Sequence, residues 1–205
     1  ILKGEPPANT PGIVVDKVPG TSGRYSGGGY VVAQQLLEDV TGIPFPQLMR
    51  DSVLAPIGMT RSTFEQPIPA SWLQTVATPY DEGSAVPGGP HVYPEMAPAG
   101  LWTTPSDLAR YAIEVQKALA GKSAVLSAAM ARQMLTPNGQ DLGGQGLGPQ
   151  TGGRKENPYF HHAGSNEGYK SYLFAYNNGD GVVILAKWNG AVGNYNAHVA
   201  ALPGV

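Results

Sequence analysis

The sequence predicts an α+β fold in which a helical region comes first and an antiparallel strand meander follows. Three observations carry that expectation. Apolar residues recur at helical spacing in several segments between residues 29 and 136. After residue 158 the pattern shifts to short apolar and aromatic strands. Those strands follow one another with tight turns and no helix between them, which argues for a meander beside a helical layer.

Taken in order, residues 1–24 are rich in proline and glycine and read as extended loop. From Gly29 to about Thr41, the residues Tyr30, Val32, Leu36, Leu37 and Val40 mark the apolar face of a first helix, with Gly42 as its stop. "FPQLMRDSVLAPIGM" predicts a second helix to about Leu54, ended by Ala55-Pro56. Residues 65–100 carry seven prolines and few regular patterns, as expected of a functional loop or the wall of a subdomain. "TTPSDLARYAIEVQKALAG" is the clearest helix. Thr104 is its cap, Pro105 suits its first position, and Asp107 completes a capping-box-like start. Leu108, Tyr111, Ala112, Val115 and Leu119 share one face, and Gly121 ends it. Ser127 starts a shorter helix that stops before Pro137. Residues 138–158 read as a glycine-rich connection. "YFHHAG", "YKSYLFAYN" and "GVVILAKWN" are then three strands, with "NNGDG" a hairpin turn between the last two and a final helix beginning near Asn194.

Composition narrows the function classes. The 205 residues are enough for one domain with a real core. A net charge of -2 with 14% charged residues offers no basic face for nucleic acid and no polybasic membrane patch. With no cysteine, disulfides and thiolate metal sites are excluded. No apolar run reaches transmembrane length, and no signal peptide is legible. The chain opens Ile1-Leu2-Lys3 without a methionine, so a processed product or a fragment is expected. The 28 glycines and 19 prolines fall mostly between patterned segments, which favours a loop-rich globular protein over disorder.

Two stretches hold candidate chemistry. "YSGGGY", residues 25–30, puts a tyrosine and a serine on a triple glycine at the mouth of a helix. On its own it reads first as a turn with an anchoring aromatic, and it lacks the lysine and hydroxyl of a phosphate loop. "HHAGSNEGY", residues 161–169, places adjacent histidines on opposite faces of a strand, and no third ligand stands near enough in sequence for zinc. The chain contains neither a Gly-x-Ser-x-Gly elbow nor a Ser-x-x-Lys. Read from the residues alone, a site for nucleophilic catalysis is incomplete.

Four segments in order change the picture: "PGTSGRYSGGGYVVAQQLLEDVTGIPF", "LAPIGMTRSTF", "PAGLWTTPSDLARY" and "HHAGSNEGY". Together they resemble the serine β-lactamase and penicillin-binding-protein-like hydrolases, a largely bacterial family, and within it the class C and esterase-like branch. The resemblance implies that residues 1–205 are the C-terminal portion of one β-lactamase-like domain, with residues 25–158 as helical region and loops and 159–205 as sheet strands and the start of a terminal helix. The N-terminal strands and helix of the β-lactamase/transpeptidase-like fold, which bear the Ser-x-x-Lys nucleophile, are then absent.

The family's Tyr-x-Asn motif corresponds to Tyr25-Ser26-Gly27, and its Lys-Thr-Gly or His-x-Gly motif to His162-Ala163-Gly164. Tyr25 is thereby implied as catalytic. Gly27, His162, Ala163 and Gly164 are implied as substrate-binding, and the backbone N–H of Ser165 as half of an oxyanion hole. The implied reaction is acyl transfer through an acyl-enzyme on esters, β-lactams or D-amino-acid peptides. Gly27 in place of Asn and His162 in place of Lys favour ester-like substrates. No metal or organic cofactor is implied. The expected partners are a small acyl substrate and an N-terminal segment of the same parent or of a swapped copy, and the chain alone is expected to be inactive. A periplasmic or extracellular location is favoured over the cytoplasm. The competing reading is a non-catalytic binding protein on the same scaffold.

Overall fold

The computed structural model describes residues 1–138 and 144–187. Residues 1–26 form no helix or strand, as their composition leads one to expect. Helix α1 (Gly27–Thr41) starts two residues earlier than its apolar pattern indicates, because Ser26 takes an extended conformation and its hydroxyl accepts from Gly29 N–H at 3.0 Å. Gly42, at φ 67°, ends it by donating to Glu38 O. The second predicted helix is a helix in two pieces: α2 (Phe45–Met49) runs into a wider π turn, Arg50–Leu54.

Within residues 65–100 the chain makes a 3₁₀ turn (Ala70–Trp72), a two-residue ribbon of β1 (Tyr80–Asp81) and β2 (Ser84–Ala85), and the short helix α3 (Met96–Ala99). Helix α4 (Pro105–Leu119) has the predicted Thr104 cap, with Asp107 N–H donating to Thr104 Oγ1 at 3.2 Å. The expected capping box is only half made. The Asp107 carboxylate turns instead to accept from Arg61 N–H (2.8 Å), the Ser62 hydroxyl (2.9 Å) and Arg110 (2.6 Å). It is only 1% exposed, and it ties the start of α4 to the segment whose Thr63 pairs with Trp102. Helix α5 (Ala128–Met134) is capped by Ser127.

The glycine-rich connection holds a strand that the sequence did not announce, β3 (Gln150–Arg154). Its Gly152 and Gly153 lie under Tyr159, whose ring occupies the space a side chain would need at either position. After it come β4 (Asn157–Asn166), β5 (Tyr169–Tyr176) and β6 (Gly181–Ala186), all antiparallel in the order β3-β4-β5-β6. The predicted hairpin turn joins β5 to β6 through Tyr176 N–H and Asp180 O at 2.8 Å. The final helix expected near Asn194 lies outside the described residues.

One face of the sheet packs on α4. Phe160, Leu173 and Ala175 meet Ala112 and Val115 there, and Phe160 is fully buried. A second core joins Phe45, Leu54, Met59 and Phe64, and Tyr111 touches both. On the opposite face of the sheet, Tyr172, Phe174 and Tyr176 cluster with Tyr159.

Helix α1 departs from its sequence pattern. The residues chosen as its apolar face are exposed, from Leu37 at 41% to Val40 at 75%, while Val31 and Gln34 are the ones buried. Among the described residues, no helix is long and apolar enough to cross a membrane.

Candidate active site

The site forms where the start of α1 meets the outer half of β4. Tyr25 stands just before the Ser26 cap and is 71% exposed. Its ring lies 6.5 Å from that of His162, centroid to centroid, tilted by 31°. These two positions come from opposite ends of the chain, and the fold alone brings them together.

The triple glycine has a steric basis at one position. A Cβ on Gly28 would press within 3.2–3.3 Å of the Ile13 side chain, so the N-terminal loop lies tight on the first turn of α1. Gly27 faces Pro98 across an ordinary contact distance. Arg24, beside Tyr25, is not free to act on the phenol, because both its terminal nitrogens bind Asp16, at 2.8 and 2.7 Å.

Alternation along β4 sorts the rest. His162 faces Tyr25, whereas His161 sits on the other face against Tyr159 and Tyr172, with its Nδ1 3.3 Å from the Tyr172 hydroxyl. Two adjacent histidines therefore serve two different faces, as their spacing requires. Ser165 lies two positions on from Ala163, on the His161 side, and its hydroxyl is bonded to Lys170 of β5. Its side chain thus points away from Tyr25, leaving its backbone as the part that can face the cleft. Gly164 is opposite Ser171, and a side chain at 164 would collide with the Ser171 hydroxyl.

Strand β3 pairs with β4 only as far as His161. The β3–β4 ladder ends at His161, so among the described residues 162–165 lie beyond it, on the stretch of β4 that His162 shares with the tyrosine.

Both histidines are held below the ordinary imidazole value, chiefly by desolvation. For His162 a hydrogen bond with the Ala163 backbone works in the opposite, smaller sense, and for His161 the neighbouring His162 adds to the lowering. Imidazoles so placed are neutral at pH 7.

Residues that sequence reasoning did not single out anchor the end of β4. Asn166 Nδ2 donates to Ala99 O at 2.9 Å, and Glu167 N–H donates to the Tyr93 hydroxyl at 3.1 Å. Segment 93–99 therefore closes the far end of the His162 strand. Asn166 stands inside the quoted "HHAGSNEGY", but nothing in the sequence says which carbonyl its amide will find. Among the described residues, no three histidine or acidic side chains gather as a metal site would require.

A helical layer on one face of an antiparallel meander is the arrangement that the resemblance to the β-lactamase and penicillin-binding-protein-like hydrolases implies. The comparisons agree. Residues 2–202 match the family described as Beta-lactamase, and the chain belongs to that family. No curated protein matches it.

Among solved structures, it is similar to the octameric penicillin-binding protein homologue from Pyrococcus abyssi, with a TM-score of 0.71 and 24% identity over 84% of this chain and 40% of that one. A penicillin binding protein from Bacillus halodurans gives 0.72 and 19%, over 96% of this chain and 59% of that one. The D-amino acid amidase from Ochrobactrum anthropi SV3, complexed with D-phenylalanine, gives 0.65 and 20%, over 87% and 59%. The chain thus spans 40–59% of the length of these relatives.

Proposed function

We propose that these residues are the C-terminal portion of a serine hydrolase working through an acyl-enzyme, with small esters favoured as substrates. The observation that carries the reading is the approach of Tyr25 to His162, on the stretch of β4 where the β3–β4 ladder ends. In the proposed reaction a serine hydroxyl from a segment outside these residues attacks the acyl carbonyl. Tyr25 takes its proton as general base and returns it to the leaving group as general acid. A tetrahedral oxyanion forms, and Ser165 N–H together with the nucleophile's own N–H stabilises it. Water then repeats the sequence and releases the acid.

Tyr25 needs a cation beside it to ionise readily. Arg24 is committed to Asp16, so that cation belongs with the nucleophile on the complementing segment. The exposed apolar residues of α1 supply a surface such a segment could cover, whether from the same parent or from a swapped copy.

Preference for esters rests on two positions. Gly27 presents no amide to hold the acyl-side amide of a peptide or β-lactam. His162, neutral at pH 7, presents no permanent charge to a substrate carboxylate. The related D-amino acid amidase and a β-lactamase/D-alanine carboxypeptidase from Pseudomonas syringae, as they are named, are both acyl-transfer hydrolases, and the ester reading keeps that chemistry while changing the recognition.

The test takes the full-length parent, a fluorophosphonate probe, a short-chain ester and a cephalosporin. Labelling, with ester cleavage well ahead of the cephalosporin, is the expected result. Absence of labelling would end the hydrolase reading, and equal turnover of both substrates would end the ester preference.

A further inference from the structure

Gln34 is a polar side chain buried in the middle of α1, only 8% exposed. A helix position facing a core is ordinarily apolar, and an amide there is tolerated when both its ends are bonded. Here both are. Gln34 Oε1 accepts from Ala97 N–H at 3.0 Å, and Gln34 Nε2 reaches Pro94 O at 3.4 Å. Ala97 is the second residue of α3, so the acceptor satisfies one of the amides that a helix start leaves without an intrahelical partner.

We infer that Gln34 is a positioning residue that sets the width of the cleft between Tyr25 and the His162 strand, and so the size of acyl group it admits. This rests on the hydrolase reading above. Segment 93–99 is attached on two sides. Asn166 and Glu167 fix Ala99 and Tyr93 to the end of β4, immediately beyond Gly164 and Ser165. Gln34 fixes Pro94 and Ala97 to α1, the helix that begins at the Tyr25 turn, and Pro98 then falls opposite Gly27. One amide thereby couples the tyrosine's helix to the wall that closes the histidine's strand. Without it, the segment keeps its bonds to β4 and loses its two polar ties to α1.

Two variants of the full-length parent separate positioning from mere stability. Gln34→Met keeps the length and removes both hydrogen bonds. Gln34→Glu keeps the acceptor for Ala97 N–H and, as the neutral carboxylic acid that a buried position favours, a hydroxyl donor for Pro94 O. Relative to wild type, Gln34→Met is expected to raise KM for a short-chain ester about tenfold, to change kcat by less than about threefold, and to flatten the preference between short and long acyl chains, since misplaced walls cost binding and orientation. Gln34→Glu is expected to recover most of the KM and the chain-length profile. An unchanged KM and profile in a folded Gln34→Met overturns the inference, and so does a Gln34→Glu variant no better than Gln34→Met.

A second readout needs no turnover. The ¹³Cζ resonance of labelled Tyr25 is expected to move in Gln34→Met and return in Gln34→Glu. If the wild-type parent cleaves no ester, the hydrolase reading fails while this resonance still decides whether Gln34 positions Tyr25. A resonance unmoved in folded Gln34→Met overturns the positioning.

Discussion

His162 is held between two influences, and under the proposed function their balance decides whether it offers a charge to a substrate. Desolvation lowers its imidazole below the ordinary 6.5, and the hydrogen bond with the Ala163 backbone only partly offsets this. The sign of the stability effect follows. A folded-state value below the unfolded one means that the unfolded chain takes up the proton first. The stability that neutral His162 contributes is therefore present above about pH 6.5 and is lost as pH falls through the lower folded value. His161, lowered for the same first reason, acts in the same window. In an NMR titration both imidazoles are expected to show midpoints below 6.5, with neither ring charged at pH 7. A His162 midpoint above about 7 would put a cation beside Tyr25 at neutral pH and remove the argument against carboxylate-bearing substrates.

At the scale of elements, α1 is where packing overrode the sequence pattern. Tyr30, Val32, Leu36, Leu37 and Val40 have the spacing of a core-facing stripe, and the helix they predict is there, yet that stripe is exposed. The chain turns Val31 and Gln34 toward α3 instead. Helices with strong local signals, such as α4 with its Thr104 cap and Pro105 start, were legible because those signals act within one turn. Strand β3 was not, because Thr151-Gly152-Gly153 becomes a strand only under the Tyr159 ring of its neighbour. Of the candidate site, the sequence offered Tyr25 and the His162 strand, while Gln34, Tyr93 and Asn166 bond to partners roughly sixty or more residues away and left no local trace.

The exposed stripe carries its own prediction. Leu36→Asp and Val40→Asp should change the stability of the 205-residue chain by less than about 0.5 kcal/mol, as surface changes do. On the proposal that a complementing segment of a longer parent covers them, each should there cost roughly 2 kcal/mol or more, the scale of an apolar burial forfeited with a charge in its place. Chemical denaturation of both forms measures the contrast. Equal, small effects in both would mean that α1 faces water in the complete protein.

At the scale of the whole molecule, two junctions between the helical region and the sheet bear on stability, besides the bonds of Asn166 and Glu167 to segment 93–99. One is the apolar contact of α4 with β4 and β5. The other is the β4–β5 turn, clasped by the loop of residues 77–80. Gly168, at φ 75°, packs so closely on the fully buried Pro79 that any side chain there would collide with it, and its carbonyl accepts from Tyr80 N–H at 3.4 Å. Tyr169 follows, with its hydroxyl donating to Ala77 O at 2.6 Å and its ring edge-on to Trp102. Burial, with the Tyr93 phenol adding to it, pushes the Tyr169 phenol up to about 12.

That value exceeds the roughly 10 of an unfolded tyrosine. The stability which protonated Tyr169 contributes is accordingly intact below about pH 10 and is lost as pH rises toward 12. Tyr169→Phe keeps the ring against Trp102 and removes the hydroxyl, so at pH 7 it should be about 1 kcal/mol less stable than wild type. Between pH 10 and 12 the wild type loses what the phenol contributes and the variant has nothing there to lose, so the two stabilities should converge. Urea denaturation of both proteins across that range reads the effect directly. A difference that stays constant to pH 12 would mean that the phenol's ionisation does not weaken the clasp.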